Sequence, residues 1–333
     1  MSERRPVAVT GLSILTALGR GPEAQLSGVP AFTEVRRFDT SALRVRYAAL
    51  AAETGTLDEE LDLAIATACI QAGVDRSTTP LLLAMHSAPA CDFGQARVYT
   101  SACVSGSTAL ADAAALISSG RADRIVVAGA YLVEPYQFAL FDAGRALASD
   151  NVVRPFSAER RGTLLGDGVA AVVLEAGAGL ARLAGWGRAG DAYHPCQPAP
   201  DGRGLAVALR RALERAGVSP DDVGYVNANA TGTLFSDQAE AAALGAVFRS
   251  SPPVSSTKGL HGHALEASGV VEFVVMVQAL LDGKLPVNAG FLGSDPQCPV
   301  DVILDAPRSV QTQVGVSVNS AFGGANTALV VTV

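Results

Sequence analysis

Long apolar runs are absent: no stretch of this chain approaches the ~20 residues that a membrane span requires. Charged residues are scarce, at 17%, and the net charge of −7 leaves no broad basic face for nucleic acid. The five cysteines (Cys69, Cys91, Cys103, Cys196 and Cys298) are odd in number, scattered and never paired as Cys-x-x-Cys. That spacing argues against a disulfide framework or a zinc knuckle and points to a reducing, cytoplasmic setting. The glycine turn at Gly11 lacks the second and third glycines of a dinucleotide fingerprint. Met1 leads into a strand-like stretch at Val7 within a few residues, so no signal peptide is expected.

What the chain does have is 333 residues, 49% of them hydrophobic, and 34 glycines, a length better served by two packed halves than by one core. Val7 to Ser13 reads as a first strand, and the residues up to about Ala52 as loop-rich. Helical spacing covers Asp58 to Ala72, with Leu61, Ala64, Ile65 and Ala68 on one face. Its opening carboxylates, Asp58, Glu59, Glu60 and Asp62, suit the positive end of the helix dipole. Pro80 to Ala84 reads as a short buried strand, and Asp123–Ala130 and Ala170–Glu175 are apolar runs of strand length. Such runs between Ala-rich helices suggest a sheet buried on both faces. Gly177 to Pro200, rich in Gly, Ala and Pro, reads as a junction. Beyond it the order of elements repeats, with helices over Gly204–Ala216, Gln238–Phe248 and Ala267–Leu281 and strands at Val223–Ala228 and Val254. A closing hairpin turns between Ser320 and Ala325. A duplicated α/β unit is expected, with residues 1–176 and 177–333 as its halves.

The most informative stretch is Tyr99-Thr100-Ser101-Ala102-Cys103-Val104-Ser105-Gly106-Ser107, a turn of small residues between the strand-like Gln95–Tyr99 and a helix over Thr108–Ser119. A cysteine at a helix N-terminus meets free N–H groups that favour the thiolate, and small neighbours let a carbonyl approach. The competing reading is a buried thiol that packs as a small hydrophobe.

Four ordered motifs bear on that choice: the Cys103 turn, Val226-Asn227-Ala228-Asn229-Ala230-Thr231-Gly232-Thr233, Ser255-Ser256-Thr257-Lys258 running to Gly262-His263, and the turn Phe322-Gly323-Gly324-Ala325-Asn326. Together they resemble β-ketoacyl-acyl-carrier-protein synthases, the ketosynthases of fatty-acid and polyketide assembly. Val7 to Gly11 and Arg154-Pro155-Phe156 to Gly168 fit the same family, so the likeness covers nearly the whole chain. The resemblance implies an α/β, thiolase-type five-layer αβαβα fold built from two duplicated halves, assembled as a dimer. It makes Cys103 the nucleophile of the first half and places Asn229, Lys258 and His263 in the second. Backbone N–H groups of Cys103 and Phe322 would form the oxyanion hole, with Phe322 gating the pocket and Glu272 as the acidic residue on the helix after His263. His86, His194 and His261 match no family position and are read as structural. A metal on His261 and His263 lacks a third ligand. No bound cofactor is implied; the acyl group would arrive on the phosphopantetheine of an acyl carrier protein.

The chain also departs from the family. Asn229 stands where the first catalytic histidine belongs and Ala230 where a glycine belongs. An asparagine donates a hydrogen bond but does not change protonation state near neutral pH, so the resemblance implies acyl transfer rather than extender decarboxylation. The chain is several dozen residues shorter than the family between Pro80–His86 and Ala90–Val98, which implies a more open pocket. The helix at Asp58–Ala72 opens with carboxylates where ketosynthases offer basic residues to an acidic carrier protein, leaving Arg154, Arg160 and Arg161, or a partner subunit, to receive it. Ala321 replaces the glycine before Phe322. Three readings follow: an acyl-loading enzyme working through Cys103, a subunit resembling chain-length factors that pairs with a complete ketosynthase, and a fully condensing synthase.

Overall fold

The computed structural model describes residues 4–86, 89, 93 and 96–333. The expectations for Met1, for Cys91 and for the approach through Ala90 and Gln95 lie outside the described residues. Eleven strands form the main path of one sheet: β1 (Val7–Thr16), β2 (Leu81–Ala84), β3 (Arg97–Tyr99), β4 (Arg124–Tyr131), β5 (Gly168–Ala176), β6 (Ala181–Gly190), β7 (Tyr225–Asn227), β8 (Pro253–Ser255), β9 (Asp301–Val302), β10 (Val314–Ala321) and β11 (Ala325–Thr332). The longer helices are α1 (Leu57–Ala72), α2 (Ser105–Ser118), α3 (Pro135–Ala143), α4 (Arg203–Ala216), α5 (Leu234–Val247) and α6 (Ser268–Asp282), and a single helical turn covers Lys258–His261.

The strand order is β9-β8-β7-β10-β11-β6-β1-β5-β4-β2-β3. From β1 outward the pairings run antiparallel to β5, antiparallel to β4, parallel to β2 and parallel to β3. From β6 outward the same sequence recurs through β11, β10, β7 and β8. The two halves meet where Ala8 and Val9 pair with Arg182 and Ala181.

The layers follow from strands apolar on both faces. In β4, Ile125 and Val127 enter the central core, while Val126, Ala128 and Ala130 face Leu61, Ala64, Ile65 and Ala68 of α1. On the far side Leu205, Leu209 and Leu213 of α4 cover Val226, Val316 and Val330. Helices α2 and α6 lie between the two half-sheets: α2 touches β4 and β6, and α6 touches β10 and β5. The result is the five-layer duplicated arrangement that the resemblance implied.

The segment Gly177–Pro200, expected as a junction between halves, contains the ten-residue strand β6. Its glycines are there for packing: a Cβ on Gly185 would lie 2.1 Å from the Ala212 carbonyl oxygen, and one on Gly187 would lie 1.9 Å from that of Ala208. Glycine lets α4 sit directly on the strand, a close approach that composition alone reads as a loop.

Among the described residues no helix is long and apolar enough to cross a membrane.

Candidate active site

The site forms where the N-termini of α2 and α6 abut. A Cβ on Gly106 would come within 2.7 Å of the Val270 nitrogen, and one on Gly269 within 2.3 Å of the Ser107 nitrogen. Two bare backbones therefore let the turns ahead of the helices converge. Cys103 occupies the first turn, a short 3-10 segment over Ala102–Val104. Ala102 is held at φ 52°, a conformation a non-glycine residue reaches only at a cost of ~1 kcal/mol or more. The second turn carries His263.

His263 Nε2 lies 3.1 Å from Cys103 Sγ, and its Nδ1 lies 2.9 Å from the Ser268 hydroxyl at the start of α6. Burial pushes the Cys103 thiol up to about 12, with the charge of Glu266 adding to the effect and Lys258 opposing it. Burial, with Lys258 and His261 as lesser causes, holds His263 well below 6.5. The resting pair is thus a neutral thiol and a neutral imidazole. The neutral tautomer with its proton on Nδ1 donates to Ser268 and leaves Nε2 free to take the thiol proton.

Behind this pair lies a buried charged group. Lys258 and Glu272, both fully buried, form an ion pair, and Asn319 Nδ2 donates to the other Glu272 oxygen at 2.6 Å. Lys258 Nζ also donates to Asn229 Oδ1 at 3.4 Å, while the Asn229 N–H donates to Glu240 Oε1 at 2.8 Å. Burial raises Glu240 to about 8, helped by Asp237.

A cavity of ≈ 410 Å³ opens above, lined by Cys103, Asn229, His263, Thr231, Phe141 and Phe322 among others. Of the five residues singled out from the sequence, four line it together; Lys258 does not, and acts on it through Asn229. Phe322 stands exposed at the mouth, its ring 6.3 Å from that of Phe141. The exposed Cys196 lies on the same rim.

The structural reading of His261 agrees with its surroundings: Nδ1 is 3.0 Å from the Gly262 carbonyl oxygen and Nε2 is 2.9 Å from the Thr257 hydroxyl. His86, matched to no partner in the sequence, has one, Glu266 at 3.3 Å. Of the three arginines expected to receive a carrier protein, Arg161 is exposed, with its Nε 3.7 Å from Asp150 Oδ2, and the other two are not available. Arg160 is buried and holds Asp295 at 2.6 Å and the Ser157 carbonyl at 2.8 Å, and Arg154 is buried on Asp150 at 2.7 Å. The charges of Arg154 and Arg160 are therefore committed within the fold. The acidic start of α1 is likewise committed: Glu59 caps the helix from Thr56, Glu60 is buried on Arg20 at 2.8 Å, and Asp62 pairs with Arg76 at 2.6 Å. Ser268, Glu240, Glu266 and Asn319 were missed as site residues. Asn319 and Glu240 sit next to quoted motifs, and that proximity was the available signal.

The family profile described as "Beta-ketoacyl synthase, N-terminal domain" matches residues 92–178, and that described as "Beta-ketoacyl synthase, C-terminal domain" matches residues 180–292. The chain belongs to the β-ketoacyl synthase family. It is 39% identical to Nodulation protein E of Rhizobium meliloti over 266 residues, 74% of this chain and 65% of that protein. It is 27% identical to 3-oxoacyl-[acyl-carrier-protein] synthase 2 of Staphylococcus aureus (strain COL) across 99% of both chains. A β-ketoacyl synthase structure from Burkholderia phymatum STM815 superposes with a TM-score of 0.88 at 25% identity, covering 98% of this chain and 99% of that one. The ishigamide ketosynthase/chain length factor has the same fold, with a TM-score of 0.90 at 24% identity over 99% of each chain. In their alignments the chain spans 59–65% of the length of Nodulation protein E relatives.

Proposed function

We propose that the chain takes an acyl group from a carrier-protein thioester onto Cys103 and hands it on, within fatty-acid or polyketide assembly. The observation that carries this reading is the 3.1 Å approach of Cys103 Sγ to His263 Nε2 on the wall of an open cavity. The thiol proton passes to His263 Nε2 as sulfur attacks the thioester carbonyl. The backbone N–H groups of Cys103 and Phe322 receive the oxyanion. As the tetrahedral intermediate collapses, the carbon–sulfur bond to the carrier arm breaks, and the departing thiolate takes the proton back from His263. The phosphopantetheine arm enters past Phe322, and no bound cofactor takes part.

Asn229 argues for acyl transfer over condensation. It lacks a titrating proton, and its Oδ1 already faces the Lys258 ammonium. Decarboxylation of an extender is left without the proton-transferring partner worth ~10²–10⁴ in rate. The same residue supports a second reading, in which the chain is the chain-length-factor-like subunit of a dimer and a complete ketosynthase does the chemistry. Residues 1–176 then supply the nucleophile half and 177–333 the Asn/Lys/His half of one protomer. Acylation of the chain on its own by an acyl-carrier thioester, lost in Cys103→Ala, separates the readings: it supports the first and contradicts the purely architectural subunit.

A further inference from the structure

A second cavity, of ≈ 290 Å³, shares none of its described lining residues with the one at the nucleophile. Its walls include Arg37, Met85, His86, Tyr131, Glu134 and Gln137. His86, on its wall, bonds Glu266 at 3.3 Å, and the charge of that same carboxylate acts on Cys103.

Two polar atoms on these walls complete no hydrogen bond among the described residues. They are the Tyr131 hydroxyl, at the end of β4, and Gln137 Oε1, in the first turns of α3, both buried. Tyr131 is 4% exposed and Gln137 3%. Leaving such groups unpaired is costly, and a fold with no use for them would place Phe and Leu there.

The pair defines a chemistry. Burial raises the Tyr131 phenol, which therefore stays protonated. The Glu134 backbone N–H serves its oxygen, so what the hydroxyl lacks is an acceptor for its proton. Gln137 Oε1 lacks a donor. An anion gains little here, because Arg37 is spent, its two terminal nitrogens holding the Asp167 carboxylate at 2.9 and 2.8 Å, and the charges of Glu134 and Glu266 already act on Tyr131. An ammonium could satisfy Gln137 but offers nothing for Tyr131 to donate to. One group that meets both needs is a neutral amide.

We propose that this cavity binds a small neutral ligand through an amide group, whose carbonyl accepts from the Tyr131 hydroxyl and whose N–H donates to Gln137 Oε1. The site does not depend on whether Cys103 is acylated.

Saturation-transfer NMR on the whole chain tests it, with propionamide as probe and propionate and propylammonium as charged counterparts of similar size. Propionamide alone should give transfer. That transfer should fall about five-fold for each hydrogen bond removed in Tyr131→Phe and Gln137→Met. Since Tyr131→Phe deletes an unpaired buried hydroxyl, its melting temperature should equal or exceed that of the parent, which guards against loss through misfolding. Undiminished propionamide transfer in the double variant overturns the proposal, as does equal transfer from propionate or propylammonium. A signal that falls as protein concentration rises also overturns it, because a second copy of the chain would then be filling the cavity.

Discussion

The Lys258–Glu272 pair offers a test with a sign as well as a size. Both side chains are fully buried; Glu272 has Asn319 as a further donor, and Lys258 has only the longer contact to Asn229. Removing one member leaves an uncompensated buried charge, a change that costs ~3–5 kcal/mol. In Lys258→Met the orphan is a carboxylate whose pKa burial already raises. The folded protein can relieve it by binding a proton that the unfolded chain does not hold. A raised folded pKa gives stability that is present at low pH and lost as pH rises, so the penalty of Lys258→Met should grow by up to ~1.4 kcal/mol per pH unit. In Glu272→Gln the orphan is a buried ammonium, and the slope reverses: that variant is worst at low pH. The double variant should cost clearly less than the sum of the two. Urea unfolding followed by circular dichroism at pH values from about 6 to about 8 reads all three. Single variants that cost under ~1 kcal/mol, or that share one slope, would refute a buried, mutually dependent pair.

Two other outcomes follow from the same geometry. Burial depresses His261 from 6.5 to about 4, so the unfolded chain binds its proton first as pH falls. Its contribution is complete above about pH 6.5 and disappears towards pH 4, amounting to about 3 kcal/mol across that window. His261→Gln should remove that part of the parent's acid sensitivity, read as the difference between the two urea-midpoint profiles. Asn229→His should raise carbon dioxide release from a malonyl-carrier substrate by at least ~10-fold if the missing proton carrier limits decarboxylation. An unchanged rate would mean that the asparagine already supports full condensation.

What the sequence discloses differs between fold and site. The cysteine turn, the Asn229 and Lys258 strand ends and His263 are legible because each lies in a short motif whose residue types the chemistry dictates. The strand β6 is not, since Gly185 and Gly187 signal a loop by composition and a helix contact only in three dimensions. Arg154 and Arg160 illustrate the same limit for charge. A run of arginines looks like a surface, yet two of the three turn inward, Arg154 to the nearby Asp150 and Arg160 to Asp295, which lies 135 residues away. Partners such as Ser268 for His263 and Glu266 for His86 are fixed by the convergence of α2 and α6, which only packing at Gly106 and Gly269 brings about.

Acylation of Cys103 is the claim on which the proposed function depends. The direct measurement is intact-protein mass spectrometry of this chain alone after incubation with an acyl-loaded carrier protein, beside Cys103→Ala. A mass gain equal to the acyl group, absent from the variant, is the expected result. No gain under conditions that acylate a complete ketosynthase would contradict the claim and leave the thiol at His263 a structural remnant.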